Sequence, residues 1–153
     1  MDVLGYKCNM NDLQASLLLP QLKNINLNLK KRKSAYNHYT SAINEIKNIN
    51  LAKVLKKTRH ARHLFTIWVN KRIKDKLLSE LQKKNIGVAV NYRAIHTLKY
   101  HKKKYNYKNN QFPNALKIGN ETISLPLYPS ISKKKINFIL TTVTKSINKL
   151  LKK

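Results

Sequence analysis

The 153-residue chain is poor in sulfur, in small residues and in acid: one cysteine (Cys8), 3 glycines, 4 prolines and 6 carboxylates. A lone cysteine excludes an internal disulfide framework and a cysteine-only zinc site. So few glycines and prolines exclude a collagen-like or linker-like chain. The carboxylates occur singly, so no paired acid/base device can be read from their spacing. There is no glycine-rich phosphate loop and no nucleophile elbow. No run approaches the roughly 18 apolar residues that span a bilayer. Met1-Asp2-Val3-Leu4 has neither the basic start nor the apolar stretch of a secretory leader. The expectation is a soluble, cytoplasmic protein without a membrane segment, long enough for one domain or a large fragment of a bigger one.

What is abundant is positive charge: 32 Lys+Arg against 6 Asp+Glu, a formal net charge of +26. Such an excess favours polyanions, because neutralising phosphates releases counterions. The composition offers a plainer account. The chain has 27 Lys and only 5 Arg, together with 19 Asn and 14 Ile. Lys, Asn and Ile share A/T-rich codons, so a skewed genome yields this profile without selection for a ligand. Arg, the better residue for bidentate phosphate contacts, is scarce. The lysines fall in dispersed groups such as Lys56-Lys57, Lys102-Lys103-Lys104 and Lys133-Lys134-Lys135, as on solvated helix faces. A basic nucleic-acid-binding or ribosome-associated protein stays as the alternative reading.

Asn11 is a plausible N-cap for a long helix carrying Leu13, Leu17, Leu18 and Leu22, then Ile25, Leu29, Tyr36, Tyr39, Ile43 and Ile46. Pro20 falls inside it and is expected to kink or interrupt it, at a cost of about 3 kcal/mol. The lysine-rich segment from Asn48 to Arg62 reads as a loop. Leu64 to Val69 reads as a strand, and Asn70 caps a helix with Ile73, Leu77, Leu78 and Leu81 on one face, ended by Asn85-Ile86-Gly87. Val88 to Tyr92 is a second strand candidate. Residues 97–112 read as a loop or irregular helix. Phe112-Pro113 opens a short helix, Thr122 to Leu125 is a short strand, and Ser132 starts a closing amphipathic helix. Strands alternating with helices give an α+β fold: a small sheet packed with helices and preceded by a long helix.

His60 and His63 lie three apart with no neighbouring acid or cysteine, so no metal site is expected. His96 and His101 flank a tyrosine-rich stretch and, with Arg93, offer donors to an anion. Cys8 reads as a buried or half-buried small residue. The residues alone show no catalytic constellation.

Several segments, taken in order, resemble the DegT-like family of nucleotide-sugar aminotransferases that use pyridoxal 5'-phosphate (PLP). Gly5-Tyr6-Lys7-Cys8-Asn9 through Ala15 resembles the family's glycine-tyrosine motif and following helix. Arg62-His63-Leu64-Phe65 is similar to its histidine-leucine-phenylalanine strand, and Asn85 to Val88 to the next turn. Asn91 to Tyr100 looks like its substrate-side loop, and Ser124 to Pro129 like its strand before the last helix. Within the family, the opening motif and the Tyr-Arg-Ala-x-His-Thr loop look most like the UDP-4-amino-4-deoxy-L-arabinose–oxoglutarate aminotransferase branch, which serves lipid A modification.

The resemblance implies the C-terminal small domain of a fold-type I aminotransferase. Residues 1–50 would be the motif and interdomain helix, and residues 51–153 the small α+β domain. The large domain, with its Schiff-base lysine and the aspartate at the pyridine nitrogen, would lie outside this chain, as after a split or interrupted gene. No catalytic residue is therefore expected here. Asn9, with Lys7 beside it, matches the residue that reaches a neighbouring subunit's cofactor phosphate in the family's homodimer. Tyr92, Arg93 and His96 match the loop facing the nucleotide-sugar substrate, and His63 is expected to buttress the strand. The implied partner is the missing large domain or an upstream polypeptide carrying it. Asn91, Cys8, Pro20 and Lys133-Lys134-Lys135 depart from the family pattern, which suggests relaxed selection.

Overall fold

The computed structural model describes Gly5 and residues 9–152. Lys7, Cys8 and most of the glycine-tyrosine motif lie outside the described residues.

Asn11 starts the first helix, α1 (Asp12–Ser16), through a reciprocal capping box. Its Oδ1 accepts from the Gln14 amide at 2.9 Å, and Gln14 Oε1 accepts from the Asn11 amide at 3.3 Å. The expected long helix is interrupted twice. Helix α2 (Leu18–Lys23) begins just before Pro20, which therefore occupies a first-turn position where no amide hydrogen is required. Pro20 cannot donate to Ser16, and the chain breaks at Leu17. The second break is at Asn24, whose amide and Nδ2 both donate to the Pro20 carbonyl, at 3.2 and 3.0 Å. Helix α3 (Ile25–Ile43) then runs unbroken and buries Ala35, Tyr39 and Ile43, one stripe at four-residue spacing.

The 48–62 segment is not all loop. Asn48 takes a left-handed φ of 68°, a conformation asparagine tolerates, and Ile49–Leu51 follows as strand β1. It pairs antiparallel with β2 (Phe65–Val69), with Ile49 opposite Val69 and Leu51 opposite Ile67. The alternation Ile-Asn-Leu puts both apolar side chains on the face that Ile67 and Val69 bury. Asn70 caps α4 (Lys71–Lys83) by accepting from the Arg72 amide at 2.9 Å. The helix ends in a Schellman turn: Ile86 N–H donates to the Leu81 carbonyl and Asn85 N–H to that of Gln82. Asn85 supplies the left-handed residue at φ 57°; Gly87 has no positive φ.

Val88 to Tyr92 is not a strand. Only Ala89 bridges to Ser124, because the strand it meets is four residues long and Pro126 ends it. A 3-10 turn at Ile95–Thr97 and α5 (Lys99–Tyr105) occupy the tyrosine-rich stretch. Helix α6 (Pro113–Glu121) runs directly into β3 (Thr122–Leu125), which completes a three-stranded antiparallel sheet in the order β1-β2-β3. Ser132 Oγ accepts from the Lys135 amide at 3.2 Å and opens α7 (Lys133–Leu151).

The core lies where α3, α4 and α7 meet the sheet. Tyr39 stacks on Phe65 with ring centroids 4.5 Å apart, and Tyr36 meets the same ring edge-on at 5.0 Å. Ile67, Leu77, Leu81, Ile123, Val143 and Ile147 are fully enclosed. The Tyr39 hydroxyl donates to the Pro126 carbonyl at 3.0 Å. Burial, followed by the neighbouring Tyr128, raises the phenol's pKa, so it stays a protonated donor. No helix among the described residues is long and apolar enough to cross a membrane.

Candidate functional site

Tyr92, Arg93 and His96 sit within five residues but do not converge on one point. Tyr92 is 73% exposed. His96 is buried; its Nε2 lies 3.0 Å from the Asn109 carbonyl, and its ring meets Phe112 at 5.1 Å. A carbonyl acceptor requires the proton on Nε2, so this imidazole pins the 106–112 segment to the 3-10 turn. His101 lies on α5 and stacks on Tyr105, 6.0 Å between ring centroids. His63 is exposed rather than set under the strand, because the buried face begins only at Phe65.

Arg93 alone of the three lines a cavity of about 470 Å³. The capped first turn of α4 supplies Lys71 and Lys74 to it, three apart and hence on one face. Helix α5 adds Lys102, and Asn109 and Asn120 add amides. Lys74 is only 6% exposed, and its Nζ holds the exposed Asp75 Oδ1 at 2.7 Å. Four cations thus face one carboxylate, an arrangement that attracts an anion. The cavity floor depends on Gly119: a Cβ there would come within 2.6 Å of the Ala94 amide nitrogen, so α6 packs its bare backbone against the segment that carries Arg93.

The sequence pattern gave no sign of Lys71, Lys74, Lys102 or Asn109, which come from separate elements. The one usable signal was the Asn70 cap, which fixes the phase of α4.

Asn9 is exposed and does not line the Arg93 cavity. Helices α1 and α2 bury no residue at all, and Leu13, Leu17, Leu19 and Leu22 are each more than 60% exposed. Asn9 offers an amide donor suited to a phosphate contact. PLP also needs an enclosing wall, a free lysine amine and an acid at its ring nitrogen. Lys74, the buried lysine among the described residues, is already held by Asp75 and surrounded by further cations. The described residues fit an auxiliary contact to the cofactor, not its seat.

Residues 1–144 match the family described as DegT/DnrJ/EryC1/StrS aminotransferases. The chain belongs to that family. Among relatives, it is 35% identical over 144 residues to the spore coat polysaccharide biosynthesis protein SpsC of Bacillus subtilis, covering 91% of this chain and 37% of that protein. It is 30% identical over 152 residues to the UDP-4-amino-4-deoxy-L-arabinose–oxoglutarate aminotransferase of Shewanella sediminis, covering 94% of this chain and 39% of that one. Among solved structures, the apo form of the Streptococcus pneumoniae protein Spr1654, described as a sugar aminotransferase, superimposes with a TM-score of 0.86 at 28% identity. That match covers 96% of this chain and 37% of the other. The same protein has been solved in PLP and PMP forms. The chain therefore spans less than two-fifths of the length of each of these three relatives. Its α+β fold is that of the C-terminal part of these aminotransferases.

Proposed function

We propose that this chain is the C-terminal domain of a PLP-dependent aminotransferase that moves an amino group from glutamate to a 4-keto nucleotide sugar, for lipid A or another surface polysaccharide. Residues 1–50 carry the glycine-tyrosine motif and the interdomain helical region, and residues 51–153 the small domain. The large domain, in the same protein or on an upstream polypeptide, supplies the catalytic lysine, and the assembly is a cytoplasmic homodimer. The observation that carries this reading is the run of uncovered leucines on α1 and α2, in a chain matching 37% to 39% of its relatives' length. An apolar face of this kind marks a surface built to be covered, and the absent three-fifths of the fold is the natural cover.

PLP, when bound by the assembly, supplies the electron sink for amino transfer. This chain's own contributions are narrower. Asn9, with Lys7 beside it, donates to the cofactor phosphate of a neighbouring subunit. Arg93, in its cavity with Lys71, Lys74 and Lys102, supplies the positive field for the substrate's diphosphate. Tyr92 lies exposed beside Arg93, where its ring can stack on the nucleotide, and buried His96 holds the loop in place.

The chain alone is silent as a catalyst. Treatment with PLP and borohydride is expected to give scattered, substoichiometric labelling of surface lysines. A stoichiometric adduct on one lysine would overturn this reading. Co-expression with a polypeptide carrying the large domain is expected to restore transamination, and failure of the two to associate removes the complementation arm.

A further inference from the structure

Of the chain's five arginines, Arg59 and Arg62 line a second cavity, of about 570 Å³, between α3 and the segment before β2. Lys30, Lys33 and Asn26 of α3 and Thr58 and His60 of the same loop complete its polar lining, and no carboxylate lines it. The ion pairs Lys74–Asp75 and Lys149–Glu80 lie elsewhere. The site is also built, in the sense that its two arginines are held in place. Arg62 lies 3.9 Å from the Tyr36 ring centroid, so the aromatic face fixes its guanidinium plane. Its backbone is left-handed at φ 50°, and its amide donates to His60 Nδ1 at 2.9 Å. For a residue with a Cβ that conformation is costly, and such residues gather at ligand clamps. Arg59 Nη2 donates to Asn26 Oδ1 at 3.2 Å.

Arg62 Nη1 is buried and has no hydrogen-bond partner among the described residues. A buried donor of a charged group left unmatched is expensive. The Arg62 side chain shares the cavity lining with four further basic groups and no carboxylate. Guanidinium groups present forked donors that match phosphate oxygens, and the volume exceeds what a single small ion fills.

We propose that this cavity binds the diphosphate group of a small phosphorylated ligand. It is a second anion site, sharing no lining residue with the Arg93 cavity, and it stands whether or not the aminotransferase reading does. Arg62 and Arg59 grip the phosphate oxygens, Lys30 and Lys33 supply the field, and Tyr36 keeps the fork oriented.

The test is calorimetric titration of the full chain with inorganic pyrophosphate at fixed ionic strength. Saturable binding at one site is expected. Arg62→Ala and Arg59→Ala should each weaken it by about tenfold or more, the scale of a charge-assisted hydrogen bond. Arg62→Lys keeps the charge and loses the fork, so it should fall between wild type and Arg62→Ala. Lys152→Ala, at a residue that does not line the cavity, should leave binding unchanged. If Arg62→Ala fails to melt cooperatively, Arg62→Lys and Arg59→Ala carry the test. Unsaturable binding, or equal losses in Arg62→Ala and Lys152→Ala, would reduce the effect to general lysine attraction and sink the proposal. A ten-residue oligothymidine separates free from polymeric phosphate. Binding of that strand without competition from pyrophosphate would also overturn it.

Discussion

The first and last helical regions carry the same kind of pattern and meet opposite fates. Leu13, Leu17, Leu18 and Leu22 recur at helical spacing, as do Ile136, Ile139, Leu140, Val143 and Ile147. In α7 all five of the latter are buried, whereas α1 and α2 bury nothing. Periodicity reports that a face is to be covered; it does not report by what. Helix α7 has the sheet, α3 and α4 to cover it within this chain. Among the described residues, helices α1 and α2 have no such cover, and their side chains are exposed. The N-terminal half of α3 shares their situation, with Ile25 and Leu27 exposed, while its C-terminal half is anchored by Tyr39 and Ile43.

The sharpest way to break this comparison is to truncate one leucine from each region. Leu77→Ala, in the fully enclosed core, should destabilise the chain by about 2–5 kcal/mol in denaturant unfolding. Leu22→Ala, 65% exposed, should shift it by no more than about 0.5 kcal/mol. Equal costs would mean that the N-terminal helices are already packed in solution, and the uncovered face would then be no guide to a missing companion.

A smaller effect is expected where backbone approaches backbone. Gly119→Ala places a methyl 2.6 Å from the Ala94 amide nitrogen, which cannot swing aside as a side chain can. Overpacking of this sort costs about 1–3 kcal/mol, and it should displace Arg93 from Lys71 and Lys74. Phosphate binding at that cavity should weaken together with the melting temperature. A Gly119→Ala variant as stable as the wild type would show that α6 can withdraw freely.

The two asparagine caps extend the comparison at lower energy. Asn70→Ala removes the acceptor for the Arg72 amide at the start of a helix that is part of the core, and should cost about 1 kcal/mol. Asn11→Ala removes the acceptor for the Gln14 amide from a five-residue helix that buries nothing. Its loss should fray α1 by circular dichroism and leave the unfolding midpoint in place.

Much of the fold was legible because local and tertiary signals agree. At Asn70 and Ser132 a cap residue stands just before an apolar stripe, and both helices begin there. Where a signal is short or comes from one level only, reading failed. Strand β1 is three residues with Asn50 in the middle, and only pairing with Ile67 to Val69 makes it a strand. Val88 to Tyr92 has β-forming residues but finds a single bridging partner in Ser124. The Arg93 cavity was hidden because Lys71, Lys74 and Lys102 join it from helices separated along the chain. His96 looked available for a ligand, and its burial depends on Phe112 and Asn109, more than a dozen residues further on. The Arg59–Arg62 cavity was hidden likewise, since its lysines lie some thirty residues earlier on α3.

An effect of similar size to the Asn70 cap probes the joint between the two regions, where Tyr39 of α3 reaches the Pro126 carbonyl. Tyr39→Phe keeps the ring stacked on Phe65 and removes one buried hydrogen bond, so at neutral pH it should cost about 0.5–1.5 kcal/mol. Its pH dependence is more telling than its size. Burial raises the folded phenol's pKa above the ordinary 10.0, so the fold binds this proton more tightly than the unfolded chain does. The resulting stability is complete below pH 10 and is lost as the pH rises above it toward the folded value. Wild type should therefore lose stability more steeply than Tyr39→Phe above pH 10, and the gap between them should narrow. Parallel curves would mean that the hydroxyl is hydrated, and that α3 is held to the sheet by ring stacking alone.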